Sequence, residues 1–522
     1  MGSTQSKPTP ELVLHEKAVL ERLQSMEEDF SEVIEGDEEF VHVGHGIKSD
    51  ARLRREAEVL PVELLDSWQS KVLRDPKNRL ALSALSGANP MEVLASRSTK
   101  IADQHVFNIQ IPLEGGPITN QRSSGRCWLF ASTNVFRVAL MRKYNLDSFE
   151  LSQAYLFFWD KLEKANFFLE NVIDLADEDL DSRLVQRVLA DPVSDGGQWD
   201  MVFNLVEKYG LVPQALYPDS WNAMNSRGIN YIIVAKLREH AVTLRKLLQT
   251  PSVTAAALSA AKEKMMRQIH LILTLTLGPP PAATEKFDWT FKDRKGRVRT
   301  VSAAPVDFAR DIASPELRAE LRITSSSIAG MVSLVHDPRH APLSLLSVDR
   351  LGNVVGGRGV TYINVDMAAL KRAAVDMLRS GLPVFFGCDV GKFSDRAAGV
   401  MDLDIVDYEL GFNVGILGNG RGGTALDKAA RLRVGESAMT HAMVLTAVHV
   451  DERTGRPVRW RVQNSWGEDV GEKGWFVMSD AWMDEFTYQA VVDARFLTRE
   501  VKDVLKKEPI VLPLWDPLGS LA

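Results

Sequence analysis

The chain has 522 residues, of which 45% are hydrophobic and 25% charged, a balance that excludes a largely disordered protein. The net charge of −7 argues against a general nucleic-acid coat. Two cysteines exclude a disulfide scaffold and fit a reducing compartment. Because the sequence shows neither a secretory leader nor an apolar run of bilayer length, we predict a cytoplasmic protein, with a mitochondrial pool left open.

The first residues match a targeting pattern of low specificity. Met1 to Ser6 (MGSTQS) fits the N-myristoylation pattern, in which Gly2 would carry the acyl group. A polar tail is the simpler interpretation, because so short a pattern often arises by chance. A single acyl chain gives only weak, reversible membrane binding, so acylation would at most add a membrane-associated fraction.

Periodicity predicts a helical first half and an extended second half. The predicted elements are a helix over 125–144, helical sequence over 151–189, two helices over 234–277 split at Pro251, and a β-hairpin over 287–301. The acidic stretch from Asp174 to Asp181 is interpreted as a solvated face. After Ser344, apolar runs of strand length predominate. The sequence therefore predicts an α+β fold.

Cys127 stands where the sequence predicts the start of a helix. The N–H groups and dipole of a helix N-terminus favour a thiolate, which is the nucleophilic form of cysteine. Gly125 lets the backbone approach a substrate closely. The N–H of Cys127 and the side-chain amide of Gln121 could together donate hydrogen bonds to an oxyanion. This set is what acyl transfer through a thiol requires, apart from a base.

His441 is the strongest candidate for that base. It opens an apolar run that predicts a buried strand, and the next strand leads into Asn464. An asparagine amide can accept the imidazole N–H and fix the tautomer without adding charge. Trp466 could shield that hydrogen bond from water. The sequence therefore predicts a thiol–imidazole–amide site.

These motifs resemble those of the papain-like cysteine peptidases, in order and in local sequence. Longer stretches resemble the bleomycin hydrolase family, over nearly everything from about residue 60 to Ala522. They include NQRSSGRCWLFA, DGGQWDM, DRLGNVVGG, GESAMTHAM and PIVLPLWDPLGSLA. Arg126 stands where papain-like enzymes commonly have serine before the cysteine, and this arginine is usual for the bleomycin hydrolase branch.

The resemblance implies a papain-like two-lobed fold, with a helical lobe, a β-rich lobe, large helical insertions and a C-terminal arm. The expected divisions are a variable, partly disordered extension (1–60), a helical catalytic lobe (61–210), a helical and hairpin insertion expected to serve oligomerisation (211–343), a β-rich lobe carrying His441 and Asn464 (344–510), and an arm entering the active-site cleft (511–522).

By the same resemblance, Cys127 is expected to be the nucleophile, His441 the general base and acid, Asn464 its orienting partner and Gln121 the oxyanion donor. The carboxylate of Ala522 would meet the free amino group of the substrate. The expected activity is that of an aminopeptidase on peptides and small amides with a free N-terminus, extending to bleomycin and homocysteine thiolactone. The family assembles as a homohexamer around an internal channel. No metal or organic cofactor is implied.

Other residues have less specific interpretations. Asp195, Gly196 and Gly197 belong to a motif that could contact substrate or form a packed turn, and both interpretations stay open. Trp128 and Trp466 are assigned to the cleft or to packing. Cys388 lies in a strand-like apolar run and is predicted to be a core residue.

Two rival functions stay open at this stage. One is another thiol acyl-transfer enzyme, an amidase or a transferase, that uses the same site. The other is a hexameric nucleic-acid-binding scaffold with an idle site, for which the basic stretch from Phe291 to Arg299 would be the contact surface. The acidic net charge and the four intact catalytic positions weigh against this scaffold.

Overall fold

The computed structural model of the chain describes residues 59–251, 253–313, 330–412 and 426–521. The predictions for the N-terminal extension, for acylation at Gly2 and for Ala522 lie outside the described residues. The chain divides into a smaller unit of Met1–Ser96 and Val406–Asp427 and a larger unit of Arg97–Ile405 and Lys428–Ala522. The predicted catalytic residues all belong to the larger unit.

Many helices in the described chain begin at a side-chain cap. Ser152, Thr254 and Asp366 each accept a hydrogen bond from a backbone N–H in the first turn that follows. The α-helices are Val62–Arg74, Pro76–Leu85, Pro90–Val93, Arg97–Ala102, Cys127–Tyr144, Gln153–Asp174, Arg183–Ala190, Trp199–Tyr209, Trp221–Met224, Arg227–Leu248, Ala255–Leu277, Pro305–Arg310, Met367–Arg379, Tyr408–Phe412, Lys428–Val434, Asp480–Phe486 and Arg499–Asp503. None of these described helices has both the length and the apolar composition that a membrane crossing needs.

The strands form one large mixed sheet and a separate hairpin. The strands are β1 Ile109–Gln110, β2 Phe287–Lys292, β3 Val298–Ala303, β4 Met331–Val335, β5 Leu345–Val348, β6 Thr361–Asn364, β7 Val384–Cys388, β8 Ser394–Asp395, β9 Val400–Met401, β10 His441–Val450, β11 Pro457–Gln463, β12 Trp475–Ser479, β13 Thr487–Asp493 and β14 Ile510–Leu512. Within the described residues the sheet runs β14-β5-β6-β4-β13-β7-β10-β11-β12-β9-β8, and β1 pairs with β10. The hairpin is β2–β3.

The helix Cys127–Tyr144, here called the central helix, is buried along almost its whole length. It packs against β10, so its N-terminus comes beside the start of that strand. Arg126, just before the helix, is itself fully buried and forms an ion pair with Asp219 (2.6 Å). At the other end Asn145 adopts a left-handed conformation (φ 56°), which terminates the helix.

Strand β10 lies in the interior of the sheet between β7 and β11, antiparallel to both. All of its side chains except His449 are buried, which explains the continuous apolar run in its sequence. His441 is directly opposite Cys388 of β7, and Cys388 is fully buried as the sequence predicted. The sheet therefore holds His441 in a rigid frame.

The predicted elements correspond closely to the observed ones, with two differences. The helical sequence over 151–189 forms two helices, because the acidic residues after Asp174 lie exposed between them. Strand β4, which falls inside the insertion expected over 211–343, pairs with β13 and β6 in the large sheet. The predicted hairpin is present as β2–β3.

The arm beyond residue 510 is fixed at several points within the larger unit. Strand β14 adds to the sheet edge by parallel pairing with β5. Asp516 forms a bidentate ion pair with Arg339, whose guanidinium nitrogens lie 2.7 and 3.2 Å from its carboxylate oxygens. Leu518 is buried, and its backbone oxygen accepts a hydrogen bond from the hydroxyl of Tyr362 (3.4 Å). The arm therefore follows a defined path as far as Ser520.

Two glycines at helix C-termini allow a matched test of close packing. Gly210 (φ 75°) and Gly278 (φ 88°) both end a helix with a positive φ and a backbone hydrogen bond to the preceding turn. A Cβ on Gly210 would lie 2.1 Å from the backbone of Pro305, whereas a Cβ on Gly278 would meet open space. We expect Gly278→Ala to cost about 2 kcal/mol of unfolding free energy, because its φ of 88° with ψ of 158° is a conformation that essentially only glycine adopts. Gly210→Ala should cost about 2 kcal/mol more, because of overpacking. Denaturant unfolding of both variants measures this, and equal losses would contradict it.

Candidate active site

Cys127 is the first residue of the central helix, and its side chain is buried. The backbone N–H groups of Ala442, Trp128 and Cys127 itself lie near the thiol and favour its ionised form. Because Ala442 directly follows His441, this contact places the sulfur beside the mouth of β10. The structure thus brings together the cysteine and the histidine that the sequence keeps far apart.

Burial determines the resting charge of the thiol. Desolvation raises the pKa of Cys127 to about 11, although the three backbone hydrogen bonds act in the opposite direction. The helix N-terminus therefore acts on the thiol as the sequence predicted but does not outweigh burial. Burial therefore favours the neutral thiol of Cys127 over the thiolate.

His441 is paired with Asn464, as the sequence predicted. The imidazole Nε2 lies 2.9 Å from Oδ1 of Asn464. That Oδ1 also accepts the backbone N–H of Ser465 (2.8 Å), which fixes the amide orientation so that Nε2 must donate. The ring of Trp466 lies against the imidazole, with centroids 4.9 Å apart, and Arg396 covers the indole. The other imidazole nitrogen is left to accept a proton.

Burial also keeps His441 neutral. It lowers the pKa of the imidazole to about 4, and the hydrogen bond with Asn464 only partly offsets this. A neutral imidazole beside a neutral thiol is the resting state of a general-base pair, in which the proton moves as the sulfur attacks.

The turn that precedes His441 is held by a buried carboxylate that the sequence gave no reason to single out. Asp389, next to Cys388 at the end of β7, accepts hydrogen bonds from the hydroxyls of Ser437 (2.8 Å) and Thr440 (3.1 Å). Tyr488 in turn donates to Ser437 (2.6 Å). The one sequence signal for this anchor is that an aspartate directly follows a predicted buried strand.

Gln121 lies beside the nucleophile with its amide held in one orientation. Its Oε1 accepts a hydrogen bond from Ser465 (2.7 Å), and its Nε2 donates one N–H to the backbone oxygen of Ser124 (2.7 Å). The backbone N–H of Gln121 donates to the Ser465 oxygen (2.8 Å). Since an amide nitrogen carries two hydrogens, the second N–H remains for an oxyanion.

Asp195 binds the backbone just before Cys127 and the side chain of the residue just after it. Its carboxylate accepts the N–H of Gly125 (3.0 Å), and its backbone oxygen accepts the indole N–H of Trp128 (2.6 Å). The carboxylate also forms a buried ion pair with Lys161 (2.6 Å). This lysine and the hydrogen bonds hold the pKa of Asp195 well below its usual range, despite burial that opposes it.

Gly196 and Gly197 form a packed turn under Trp128. A Cβ on Gly197 would lie 2.6 Å from the indole ring, so only glycine fits there. The buried ammonium of Lys164 donates to the backbone oxygen of Gly196 (2.6 Å) and lies 5.2 Å from the Trp128 ring centroid. The packing interpretation of this motif is therefore directly visible in its contacts.

The described residues hold no cluster that could bind a metal ion, and the basic hairpin is partly paired. Among these residues, no group of three or more His, Cys, Asp or Glu side chains is placed to hold a metal ion. In the hairpin, Asp293 binds both Arg297 (2.7 Å) and Arg299 (3.2 Å), and Arg294 pairs with Asp147 (2.8 Å). Two carboxylates thus offset part of the positive charge of the stretch that the scaffold hypothesis requires.

A buried thiol lies at a helix N-terminus near the start of a strand whose first residue is an imidazole hydrogen-bonded to an asparagine amide. This is the arrangement of a cysteine peptidase of the papain type. The chain belongs to the Peptidase C1-like family, whose model matches residues 59–519.

Curated relatives are similar over most of their own length. The chain is 41% identical over 477 residues to "Cysteine proteinase 1, mitochondrial" of Saccharomyces cerevisiae, which covers 90% of this chain and 94% of that protein. It is 41% identical over 458 residues to "Bleomycin hydrolase" of Homo sapiens, covering 87% and 96%. The rat protein of the same name is 42% identical over 458 residues.

A solved structure is similar in both fold and sequence. PepW from Lactobacillus rhamnosis superposes with a TM-score of 0.81 at 39% identity and covers 89% of this chain and 99% of its own. The predicted family, the papain-like α+β fold and a cysteine peptidase are thereby confirmed. The comparisons also support the predicted aminopeptidase function.

Removal of the Asp195–Lys161 ion pair should lower both the unfolding free energy and the peptidase activity. Asp195→Asn would leave the fully buried Lys161 ammonium without its counter-charge, at a cost of about 3 kcal/mol of unfolding free energy. Peptidase kcat should fall about tenfold in the folded fraction, because the backbone around Cys127 loses its anchor. The matched control is Asp174→Asn, which removes an exposed ion pair with Arg350 and should cost less than about 1 kcal/mol. Similar losses in both variants would refute this interpretation.

The buried histidine predicts a pH-dependent stability. With a pKa of about 4 in the folded chain and about 6.5 when unfolded, His441 binds a proton more readily in the unfolded state. The contribution of the neutral histidine to the unfolding free energy is therefore complete above pH 6.5 and is lost as the pH falls toward 4. Between pH 7 and pH 4, wild type should lose about 3 kcal/mol more unfolding free energy than His441→Gln. Parallel stability curves for the two proteins would show that the histidine is not buried neutral.

Proposed function

We propose that Cys127, His441, Asn464 and Gln121 hydrolyse peptide and amide bonds through a thioester. His441 accepts the thiol proton as the sulfur attacks the scissile carbonyl, and the Cys127 N–H and the second N–H of Gln121 stabilise the oxyanion. The intermediate collapses to the thioester, and His441 returns the proton to the leaving amine. Water, deprotonated by His441, then hydrolyses the thioester, which releases the acid and restores the thiol. The hydrogen bond between His441 and Asn464 is the observation that carries this proposal.

The substrate is proposed to be a peptide or small amide with a free amine close to the scissile bond. The arm supports this, because its residue Ser520 bonds to Gln198, which directly follows the glycine that packs under Trp128. An arm at this position would occupy the part of the cleft that binds the amino-terminal side of a longer substrate. Ala522, which follows the last described residue, is proposed to supply the carboxylate that meets the substrate amine.

Relatives suggest the breadth of substrates. Two of them are called bleomycin hydrolases, and we propose that this chain also accepts bleomycin and homocysteine thiolactone, both of which offer a free amine beside the reacting carbonyl. The yeast relative is named mitochondrial. For this chain we propose a cytoplasmic location, on the basis of its composition.

Self-association, to a homohexamer as in the family, is also proposed. The paired helices Arg227–Leu248 and Ala255–Leu277 expose apolar side chains, among them Tyr231 and Leu275 at 76% and 77% exposure. Large exposed apolar side chains on adjacent helices are typical of interfaces. Sedimentation of the intact protein measures the assembly directly.

The proposed function predicts a strong preference for a free amine. An alanyl fluorogenic amide should be cleaved at least about a hundredfold faster than its N-acetylated form, since acetylation removes a charge-assisted contact and adds bulk against the arm. Cys127→Ala should abolish cleavage of both and serves as the blank. Cys388→Ala is the matched control, because it removes the other buried thiol and should retain activity.

Cleavage of both substrates at similar rates would contradict the aminopeptidase proposal and indicate an open cleft. Absence of any Cys127-dependent cleavage would favour the acyltransferase alternative. Partitioning of the acyl-enzyme between water and added amines would then identify it.

A further inference from the structure

Ser520 of the arm is hydrogen-bonded to segments that flank both catalytic side chains. Its backbone oxygen accepts the side-chain N–H of Gln198 (2.9 Å), and its own hydroxyl donates to the backbone oxygen of Met439 (2.8 Å). Gln198 directly follows Gly197, which packs on the indole next to Cys127. Met439 lies two residues before His441. One residue of the arm therefore spans from the cysteine side of the site to the histidine side.

Both partners of Ser520 belong to fixed structure. Gln198 is fully buried and precedes the helix Trp199–Tyr209, so its side chain has little freedom to move away. Met439 is buried and packs against Gly387, in the strand next to β10. The arm itself is anchored upstream by the ion pair between Asp516 and Arg339. The position of Ser520 is thus determined from three directions.

A cavity of about 330 Å³ lies along the last part of the arm. Its walls include Leu514 and Leu521 of the arm, Phe168 of the helix Gln153–Asp174, and Ser194, which precedes Asp195. If the arm moved sideways, this cavity could accommodate it. Ser520 and Leu521 both line this cavity and are only half-buried, so the two hydrogen bonds of Ser520 are the specific contacts that hold this end of the arm.

We propose that Ser520 is a positioning residue that fixes how many substrate residues fit between the arm and the nucleophile. With both hydrogen bonds made, the arm admits a short amino-terminal part that carries a free amine. With the bond to Met439 lost, the arm shifts toward the cavity, and the cleft admits N-blocked and longer amino-terminal segments. This inference rests on the proposed aminopeptidase function and assigns its substrate restriction to one side chain.

Ser520→Ala tests the proposal, with Ser520→Thr as the conservative control. Threonine keeps the hydroxyl, and the extended backbone at this position (φ −62°, ψ 137°) accommodates it. The ratio of kcat/KM for the free-amine alanyl amide to that for its N-acetylated form should fall about fivefold or more in the alanine variant. It should stay within about twofold of wild type in the threonine variant.

A second readout follows the products from a short unblocked peptide. Wild type and Ser520→Thr should release single amino acids, whereas Ser520→Ala should also release dipeptides. A purely structural role would lower all rates together, without changing the substrate ratio or the product lengths. Thermal unfolding of the three proteins establishes that each is folded.

The outcomes separate this inference from the function on which it rests. If wild type prefers the free amine and Ser520→Ala keeps that preference, the role of Ser520 is overturned while the aminopeptidase proposal stands. If wild type shows no preference, both are overturned. If Ser520→Ala loses the preference for the free amine and Ser520→Thr keeps it, the role assigned to Ser520 is supported.

Discussion

The buried ion pair between Asp195 and Lys161 is the constraint on which the rest of the site depends. The carboxylate of Asp195 accepts the backbone N–H of Gly125, and its backbone oxygen accepts the indole N–H of Trp128, so residues on both sides of Cys127 are bound to Asp195. A carboxylate can bear its charge in so apolar a setting because an ammonium and several hydrogen bonds share the burial cost. The segment that carries the nucleophile is thus positioned by two residues outside the predicted catalytic set.

Much of this arrangement could be predicted from the sequence, because its local signals agree with the tertiary structure. The apolar run after His441 predicted a buried strand, and the spacing of Asn464 after the next strand predicted an amide beside the imidazole. The hairpin and the central helix were also predictable, since turn residues and apolar periodicity are local features. The role of Gln121 as oxyanion donor stays a prediction, which its fixed amide orientation supports.

Other features could not be predicted, because they depend on contacts between distant segments. Nothing in the sequence near Asp389 indicates that its carboxylate holds the turn before His441, or that Ser520 lies between Gln198 and Met439. The effect of burial on the pKa of Cys127 could not be predicted either. A helix N-terminus suggests a lowered pKa and a thiolate, but only the packed structure shows that desolvation has the larger effect. The local sequence indicates which side chains form the site, whereas their burial and hydrogen-bond partners depend on the complete fold.

The order of these segments along the chain has a consequence for biosynthesis. The nucleophile emerges from the ribosome well before β10, and β11, which pairs with β10, follows later still. A nascent chain therefore carries Cys127 without its base for much of its synthesis. The complete catalytic set therefore exists only after nearly all of the backbone has been made.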